Sequence, residues 1–123
     1  MTEADVYNAL GEDGFQNLVA AFYRRVKTDS ILAPLYPQDD FEGAEERLRL
    51  FLIQRFGGPQ HYHQRRGHPR LRMRHAPFPV DLNARNRWME LMSAAMDELK
   101  IDAEIRVILH DYFHSTATHM MNT

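Results

Sequence analysis

The sequence predicts an all-α protein, and two observations support this prediction. Apolar residues recur three and four positions apart along most of the chain, and no stretch shows the alternation that would indicate a convincing strand. Aspartate precedes three of the predicted helices, at the position where a side chain caps a helix start. At 123 residues with 44% hydrophobic content, the chain is long enough for one domain, spanning 1–123, with its own core.

The absence of cysteine limits the chemistry that the chain can carry. It excludes disulfides, thiolate nucleophiles, iron–sulfur clusters and thiolate-ligated haem, so a metal would be bound by histidine or carboxylate. The longest apolar run, LVAAFY at 18–23, is far shorter than the roughly 20 residues of a membrane span. Since the first residues, MTEADVYNAL, are acidic, we expect a cytoplasmic protein without a membrane span.

The first predicted helix covers residues 14–27. Its inward residues recur at helical spacing and are Phe15, Leu18, Val19, Phe22 and Val26. Tyr23 lies at the edge of this apolar stripe, so its side chain can face the core. The turn SILAPLYP follows and ends with Tyr36 and Pro37. The early part of the chain therefore supplies two tyrosines, one of them beside the core.

A second predicted helix follows two aspartates. Asp39 stands three positions before Glu42, which is the spacing of a capping box. The inward stripe of this helix has a single small member, Ala44, beside the large residues Phe41, Leu48, Phe51 and Leu52. Arg47 lies towards the rim of the helix, and Gly57-Gly58-Pro59 ends it.

A short helical segment is predicted around His75. Pro69 opens this segment, and Pro77 and Pro79 close it. Within it, Leu71 and His75 are four positions apart and share one face. The segment therefore presents His75 from a helix that prolines delimit on both sides.

Two further helices complete the prediction. Asp81 caps one whose inward residues are Trp88, Leu91, Met92, Ala95 and Leu99. Asp102 caps the last, whose inward residues are Ile105, Ile108, Leu109, Tyr112 and Phe113. Residues 59 to about 68 are expected to be irregular, so the chain has five or six helices in all.

Five arginines, at positions 65, 66, 70, 72 and 74, concentrate basic charge in a chain whose formal net charge is −2. Such a cluster can indicate nucleic-acid binding, but no aromatic residues are interleaved with the cations, and the chain has no global positive field. We therefore expect no nucleic-acid partner, and a small, local target for the arginines.

The seven histidines raise the question of a zinc site. HYH at 61–63 with His68 and His75 is one candidate, but residues two apart on a helix point to nearly opposite sides, so HYH could chelate only from extended chain. HDYFH at 110–114 has the i, i+4 histidine pair of a helical zinc site, but it has no clear third ligand and has Asp where metalloproteases have Glu. The simpler interpretation makes the last three histidines ordinary helix residues: His110, His114 and His119.

Two interpretations of His75 stay open on the residues alone. It can be a core histidine without a ligand, or its imidazole can bind an iron porphyrin. Haem needs an apolar slot between helices, one neutral imidazole nitrogen, and cations for two propionates at the mouth of the slot. Arg74 is next to His75, and Arg47 projects from the helix that carries Ala44 and Leu48. Arginine binds carboxylates well, so these two residues are candidates for the propionates. The chain thus has a candidate for each of the three requirements.

Several strings of the sequence resemble one protein family over nearly the whole chain. They are FYRRV with Tyr23, LYPQDDFEGAEERLRLFL with Tyr36, Ala44 and Leu48, GGP at 57–59, RGHPRLRMRHAPF with His75, and RNRW with Trp88. In these strings the chain resembles the truncated haemoglobins, and most closely their second group. The resemblance implies a shortened globin, with a two-over-two helical sandwich around haem.

The resemblance also implies roles for individual residues. It makes His75 the proximal ligand of the haem iron. Around the opposite, ligand-binding position it places Tyr23, Tyr36 and Trp88, with Ala44 where many globins have a distal histidine. The other implied haem-binding residues are Leu48 and Phe51 in the distal cavity, Arg47, Arg74 and Tyr62 at the propionates, and Leu71 and Phe78.

One pair of residues departs from the family pattern. The family usually has Tyr-Trp directly before Gly-Gly-Pro, and this chain has Arg55 and Phe56 there. Phe56 can keep the packing role of the aromatic pair, but it lacks the indole donor.

The resemblance further implies a function. Because the chain has no Cys-x-x-Cys-His motif, the expected cofactor is non-covalently bound haem b. Bound oxygen carries partial negative charge, so three polar aromatic groups indicate tight binding of O2, CO, NO and related ligands rather than a simple store. We expect redox or detoxification chemistry on nitric oxide or peroxide, with an unidentified reductase as partner. A reversible oxygen carrier, or a haem-based sensor without turnover, is the alternative, and a homodimer is left open.

Overall fold

The computed structural model describes residues 1–75 and 78–123, and every regular element in those ranges is helical. The six α-helices are α1 (Glu3–Val26), α2 (Phe41–Arg55), α3 (His61–Arg66), α4 (Leu71–His75), α5 (Leu82–Glu98) and α6 (Ala103–Met120), with a 3-10 turn at Ala33–Leu35. The all-α prediction is confirmed. Pro77, one of the predicted ends of the His75 segment, lies outside the described residues.

α1 is longer than the sequence predicts, since it starts at Glu3 and not at residue 14. Gly11 has φ +67°, a left-handed conformation that favours glycine, and it bends the helix into two arms. Val6 in the first arm is fully buried, so this arm belongs to the core. The sequence pattern does not predict this bend, because glycine lowers helix propensity and its presence at residue 11 is more typical of a helix end.

α2 begins after Asp40 rather than Asp39. The Asp40 carboxylate accepts a hydrogen bond of 3.0 Å from the backbone N of Gly43. The predicted capping box of Asp39 and Glu42 is therefore wrong, because the capping side chain stands one residue later and the residue three positions on is glycine. After the helix, Gly57 has φ +99° and ends it, as predicted.

α3 forms where the sequence predicts irregular structure. Its start is stabilised from outside, since the side-chain oxygen of Gln54 in α2 accepts a 2.8 Å hydrogen bond from the backbone N of His63. Tyr62 is 4% exposed and packs edge-on against Phe51, with ring centroids 5.6 Å apart. A helix of six residues depends on such tertiary contacts, which a periodic sequence pattern does not reveal.

α4 starts at Leu71, two residues after the predicted opening at Pro69. Arg70 separates them with φ +45°, so Pro69 does not belong to the helix. The hydrogen bond from the Arg74 backbone N to the Arg70 carbonyl, 3.0 Å long, closes the first helical turn. The short helix predicted around His75 is thus confirmed, with a later start.

The last two helices begin where the sequence predicts. The Asp81 carboxylate accepts a 2.8 Å hydrogen bond from the backbone N of Ala84 at the start of α5. The Asp102 carboxylate accepts a 3.0 Å hydrogen bond from the backbone N of Glu104 at the start of α6. Both aspartates satisfy backbone groups that have no partner inside the helix.

The long helices pack as two pairs. α1 contacts α2, α5 contacts α6, and α1 joins the pairs through its contacts with α5 and α6. This is the two-over-two arrangement expected of a shortened globin. α3 packs on α2 and α4 packs on α6, so the two short helices are attached to different pairs. Among the helices of the described ranges, none combines the length and the apolar character needed to cross a bilayer.

Aromatic rings in contact run through the core. Successive ring centroids lie 4.9 to 6.4 Å apart along one unbroken series: Tyr7, Phe15, Phe56, Tyr112, Phe113, Trp88, Phe22, Tyr23, Tyr36 and Phe41. Such ring pairs favour edge-on and offset arrangements and stabilise the core beyond their buried area. The series includes the three polar aromatic residues of the predicted ligand site, which are therefore part of the core packing.

Candidate haem-binding site

His75 is the last residue of α4, and its ring makes one short hydrogen bond. The Nδ1 atom lies 2.7 Å from the backbone carbonyl oxygen of Leu71, one helical turn earlier. A carbonyl oxygen only accepts hydrogen bonds, so Nδ1 carries the hydrogen and donates it. In a neutral imidazole the lone pair is then on Nε2, which is available to coordinate a metal. This environment fits the nitrogen donor that a haem iron requires.

A centre built from several histidines receives no support from the structure. Across residues 1–75 and 78–123, no three His, Asp or Glu side chains come together as a metal-binding group. In HDYFH, the Nε2 atom of His114 lies 2.8 Å from Nη2 of Arg85, and the arginine N–H can only donate, so that lone pair is already used. HYH lies on α3, where His61 and His63 project to nearly opposite sides.

Three of the five clustered arginines make contacts within the protein, and two of them, Arg72 and Arg74, belong to the helix that carries His75. Arg65 forms a 2.9 Å ion pair with Glu46 of α2. Arg72 donates to backbone carbonyls at the end of α6, and Arg74 donates to backbone carbonyls of the connection between α3 and α4. Part of the basic cluster therefore acts within the protein, by fixing a short helix that buries no residue completely.

Arg74 and Tyr62, two of the predicted propionate ligands, lie together. The guanidinium carbon of Arg74 is 6.0 Å from the centroid of the Tyr62 ring, and its Nε is buried without a hydrogen-bond partner in the described part of the chain. A buried N–H of this kind is a donor that a carboxylate can satisfy. Arg47, the third predicted ligand, is not with them, because its Nη1 lies 3.2 Å from Oδ2 of Asp40.

Apolar residues of the predicted haem environment lie on α2, on α4 and, for Phe78, between α4 and α5. On α2, Ala44 is buried with 7% exposure, and Leu48 and Phe51 are partly buried against the core. Leu71 on α4 is partly buried, and Phe78 is 39% exposed. The structure thus supplies apolar surface on the α2 side and beside His75, as a porphyrin site needs.

Tyr23, Tyr36 and Trp88 come together although they lie on three different elements. The rings of Tyr23 and Tyr36 are 5.5 Å apart at an angle of 84°. Phe22 joins Tyr23 to Trp88, with centroid distances of 5.3 and 4.9 Å. The second arm of α1, the turn before α2, and α5 therefore converge on one polar aromatic group, here called the distal group and defined as Tyr23, Tyr36 and Trp88.

Burial is the main influence on the pKa values of the two tyrosines of the distal group. Burial raises the pKa of Tyr36 to about 12, and hydrogen bonding with Trp88 and Tyr23 acts on that pKa in the opposite direction. Burial, followed by the charge and hydrogen bonding of Tyr36, raises the pKa of Tyr23 well above its usual value. Both tyrosines therefore stay protonated at neutral pH, and each hydroxyl can donate or accept a hydrogen bond.

One residue beside His75 has no signal in the sequence. The side-chain amide of Asn122 donates to the backbone carbonyl of His75 over 3.3 Å and to that of Phe78 over 2.9 Å. Asn122 is 47 positions away from His75, and no local pattern links them. Only the packing of α4 on α6 brings these residues together.

Comparisons with known proteins agree with this geometry. The family model described as Bacterial-like globin matches residues 5–122. The group 2 truncated haemoglobin of Bacillus subtilis is 40% identical over 116 residues, which cover 94% of this chain and 87% of that protein. The chain belongs to the group II truncated haemoglobins. Membership of this family implies haem as the cofactor and small gases such as O2 as ligands.

Solved structures superpose on nearly the whole of this truncated haemoglobin. The haemoglobin of Chloroflexus aurantiacus is 46% identical, with a TM-score of 0.92 over 96% of this chain and 98% of that one. A structure described as truncated oxygen-avid haemoglobin from Bacillus subtilis is 38% identical, with a TM-score of 0.91 over 95% of this chain and 98% of that one. The predicted fold class and family are confirmed.

The corner where this truncated haemoglobin departs from the family pattern is well packed. Phe56 is 1% exposed, and its ring centroid lies 5.3 Å from that of Tyr112 on α6. The Arg55 guanidinium lies 4.7 Å from the Tyr112 ring centroid and pairs with Glu3 at 2.9 Å. The packing role predicted for Phe56 is confirmed, and Arg55 links the first arm of α1 to α2 and α6.

Proposed function

We propose that this truncated haemoglobin binds haem b non-covalently through His75, binds oxygen and related diatomic gases tightly, and performs redox chemistry on nitric oxide or peroxide. The observation that carries the proposal is the 2.7 Å hydrogen bond from His75 Nδ1 to the Leu71 carbonyl, which leaves Nε2 available. The absence of cysteine supports a non-covalent cofactor, since no thioether link can form.

Haem, when bound, supplies an iron that takes up diatomic ligands and exchanges electrons. His75 would hold that iron through Nε2, and its hydrogen bond to Leu71 would fix the tautomer and the rotation of the ring. Apolar side chains would exclude water from the porphyrin, and they are Ala44, Leu48, Phe51, Leu71 and Phe78.

The propionates would be bound by the basic residues at the mouth of the site. Arg74 offers a buried Nε beside Tyr62 that has no partner among residues 1–75 and 78–123, and a carboxylate there would complete its hydrogen bonding. Arg47 would bind the second propionate at the expense of its contact with Asp40. Because the Arg47–Asp40 pair is partly exposed, breaking it costs little.

The distal group would orient a ligand and hold it. The Tyr36 hydroxyl stays protonated at neutral pH, so it would donate a hydrogen bond to the ligand. A ligand with partial negative charge is retained by such a donor, whereas an apolar gas gains much less. Ala44 would be too small to close a ligand cavity above the haem, so a diatomic molecule could enter from the α2 side.

Tight binding and turnover require further components. The Bacillus subtilis structure is described as that of an oxygen-avid haemoglobin, and its likeness to this chain supports slow release here as well. Redox turnover consumes electrons, so we expect an electron-transfer reductase as the partner. The proposed location is the cytoplasm. The proposed unit is a single globin domain at 1–123, and a homodimer of it is left open.

The cofactor assignment is tested on the purified protein and on His75→Gly. The parent should show a Soret band and about one iron per chain, with negligible zinc. His75→Gly should lose the imidazole–iron bond, and added imidazole should restore the spectrum of the parent. His110→Gly, at an exposed position of α6, is the matched control and should keep that spectrum. Unchanged deoxy and carbon monoxide spectra in His75→Gly would assign the ligand to another residue.

The activity is tested by kinetics. Stopped-flow measurement should find slow oxygen release, and reductant-supplied protein should consume nitric oxide or peroxide over many turnovers. Fast oxygen release without turnover would identify a reversible carrier or sensor and would contradict the redox proposal.

A further inference from the structure

Asn122 makes four hydrogen bonds to the segment that follows His75. Its side-chain oxygen accepts from the backbone N of Val80 over 2.9 Å, and its own backbone N donates to the Val80 carbonyl over 2.9 Å. Its side-chain nitrogen donates to the carbonyl of Phe78 over 2.9 Å and to that of His75 over 3.3 Å. One residue, through its side chain and its backbone, thus holds His75, Phe78 and Val80.

The identity of the Asn122 side chain is fixed by these partners. One end of the amide faces an N–H donor and the other end faces two carbonyl acceptors. Only a side chain with an acceptor and a two-hydrogen donor satisfies all three, so a flipped amide or a carboxylate would place like groups against each other. A side-chain amide, as Asn122 has, therefore matches all three partners.

α4 needs external support because it has only five residues. A helix this short is unstable alone, and the last carbonyls of any helix lack partners within it. The His75 carbonyl accepts a hydrogen bond of 2.9 Å from the backbone N of Phe78, and Asn122 adds a second donor to the same oxygen. Arg72 adds a second connection, since its Nε donates to the His119 carbonyl over 3.1 Å. The end of α6 and the residues after it thus bind α4 through two sets of hydrogen bonds.

The position of the His75 ring depends on these hydrogen bonds between α4 and the end of the chain. The ring is hydrogen-bonded to Leu71 within α4, so ring and helix move together as one unit. Contacts that place α4 against α6 therefore place Nε2 as well. We propose that Asn122 is a positioning residue for His75, which sets the distance and tilt of Nε2 toward the cofactor.

This inference rests on the proposed haem-binding role of His75, and its test uses two measurements that separate them. The first is the iron–histidine stretching band in the resonance Raman spectrum of the ferrous deoxy protein. The second is hydrogen exchange at the backbone amides of Val80 and Arg74, which reports the attachment of α4 whether or not haem is present.

The variants are Asn122→Ala, which removes the whole amide, and Asn122→Asp, which keeps the acceptor for Val80 but loses both donors. Both should shift and broaden the iron–histidine band, and Asn122→Ala should speed exchange at Val80 and Arg74 by about three- to tenfold. The carbon–oxygen stretching band of the carbon monoxide complex, which reports the distal group, should stay unchanged. Asn83→Ala is the matched control, since Asn83 is exposed and makes no side-chain hydrogen bond in the described ranges.

The outcomes are distinct. If both Asn122 variants lower thermal stability but leave the iron–histidine band and the amide exchange of the parent, Asn122 is merely structural and the inference is overturned. If the parent binds no haem, the proposed function fails, and unchanged exchange in Asn122→Ala would then overturn the positioning role separately. If Asn122→Ala does not fold, the isosteric Asn122→Asp decides the question by the same two measurements.

Discussion

Arg87 Nε lies 3.0 Å from Oδ1 of Asp29, and Arg87 immediately precedes Trp88 on α5. The N–H is not aligned with the oxygen, so the contact is an ion pair rather than a hydrogen bond. The other carboxylate oxygen of Asp29 accepts a 2.9 Å hydrogen bond from the backbone N of Leu32. Asp29 thus ties the start of the turn that leads to Tyr36 to the helix that carries Trp88.

Asp29→Ala should lower the free energy of unfolding by about 1–2 kcal/mol, since it removes the oxygen that caps the turn together with the charge facing Arg87. Asp29→Asn keeps an oxygen for the backbone N–H groups and should lose only about 0.5 kcal/mol. Urea unfolding followed by circular dichroism measures both, with the exposed neighbour Ser30→Ala as control. Equal losses in the two variants would mean that capping contributes nothing.

Replacement of distal-group residues should speed oxygen release. Trp88→Phe and Tyr36→Phe each remove a possible hydrogen-bond donor to bound oxygen, which carries partial negative charge. Such a bond contributes roughly 1.5–3 kcal/mol, so its loss should make oxygen release about ten- to hundredfold faster. Carbon monoxide carries little charge on its outer atom and should respond much less. Because the two residues belong to one series of packed rings, the double variant should fall short of the combined effect of the single ones.

Stopped-flow comparison of the two gases separates donation from packing in the distal group. Equal acceleration for oxygen and carbon monoxide in Trp88→Phe would mean that Trp88 acts by packing against Phe22 and Phe113. An effect confined to Tyr36→Phe would make Tyr36 the principal donor.

Loss of a propionate contact should speed the transfer of haem to an acceptor globin. Arg74→Ala and Arg47→Ala each remove a partly exposed charged contact, worth about 0.2–1 kcal/mol, so a few-fold effect is expected. The larger effect should come from Arg74→Ala, since Arg74 also donates to the connection between α3 and α4. Arg24→Ala removes an exposed ion pair with Glu98 and is the control. Rates identical to the parent in both variants would refute the propionate role.

Alkaline pH should weaken the fold through the distal group. The pKa of Tyr36 in the folded protein is about 12 and its ordinary value is 10.0, so the folded state retains a proton that the unfolded chain has lost. The free energy of unfolding therefore falls as the pH rises from 10 toward 12. Tyr36→Phe should show a shallower fall over this range in urea titrations. A parallel pH dependence in parent and variant would show that Tyr36 does not contribute.

Local patterns in the sequence predict the residues whose partners are close along the chain. The spacing of α1 predicts a core-facing Tyr23, and Leu71 lies one helical turn before His75, which is the separation of their hydrogen bond. The aspartates at 81 and 102 predict the starts of α5 and α6 because a capping side chain acts within three residues.

Features that depend on distant residues escape such patterns. α3 is helical because Gln54 of the preceding helix satisfies its start, and the His75 segment is gripped by Asn122. Neither partner is marked by periodicity or composition. Gly11 shows a different limit, since a glycine in a helical pattern is compatible with both an end and a bend. Three-dimensional packing alone decides these cases.

α4 contributes no fully buried residue, whereas α1 buries eight. Detachment of α4 therefore breaks a few polar contacts at one edge and leaves the aromatic core intact, so it can occur as a local opening far below the energy of global unfolding. The segment that presents His75 should therefore detach often, whereas the folded state of the whole chain should persist for much longer. Substitutions at the edge can then adjust how readily a cofactor is exchanged without changing how long the folded protein persists.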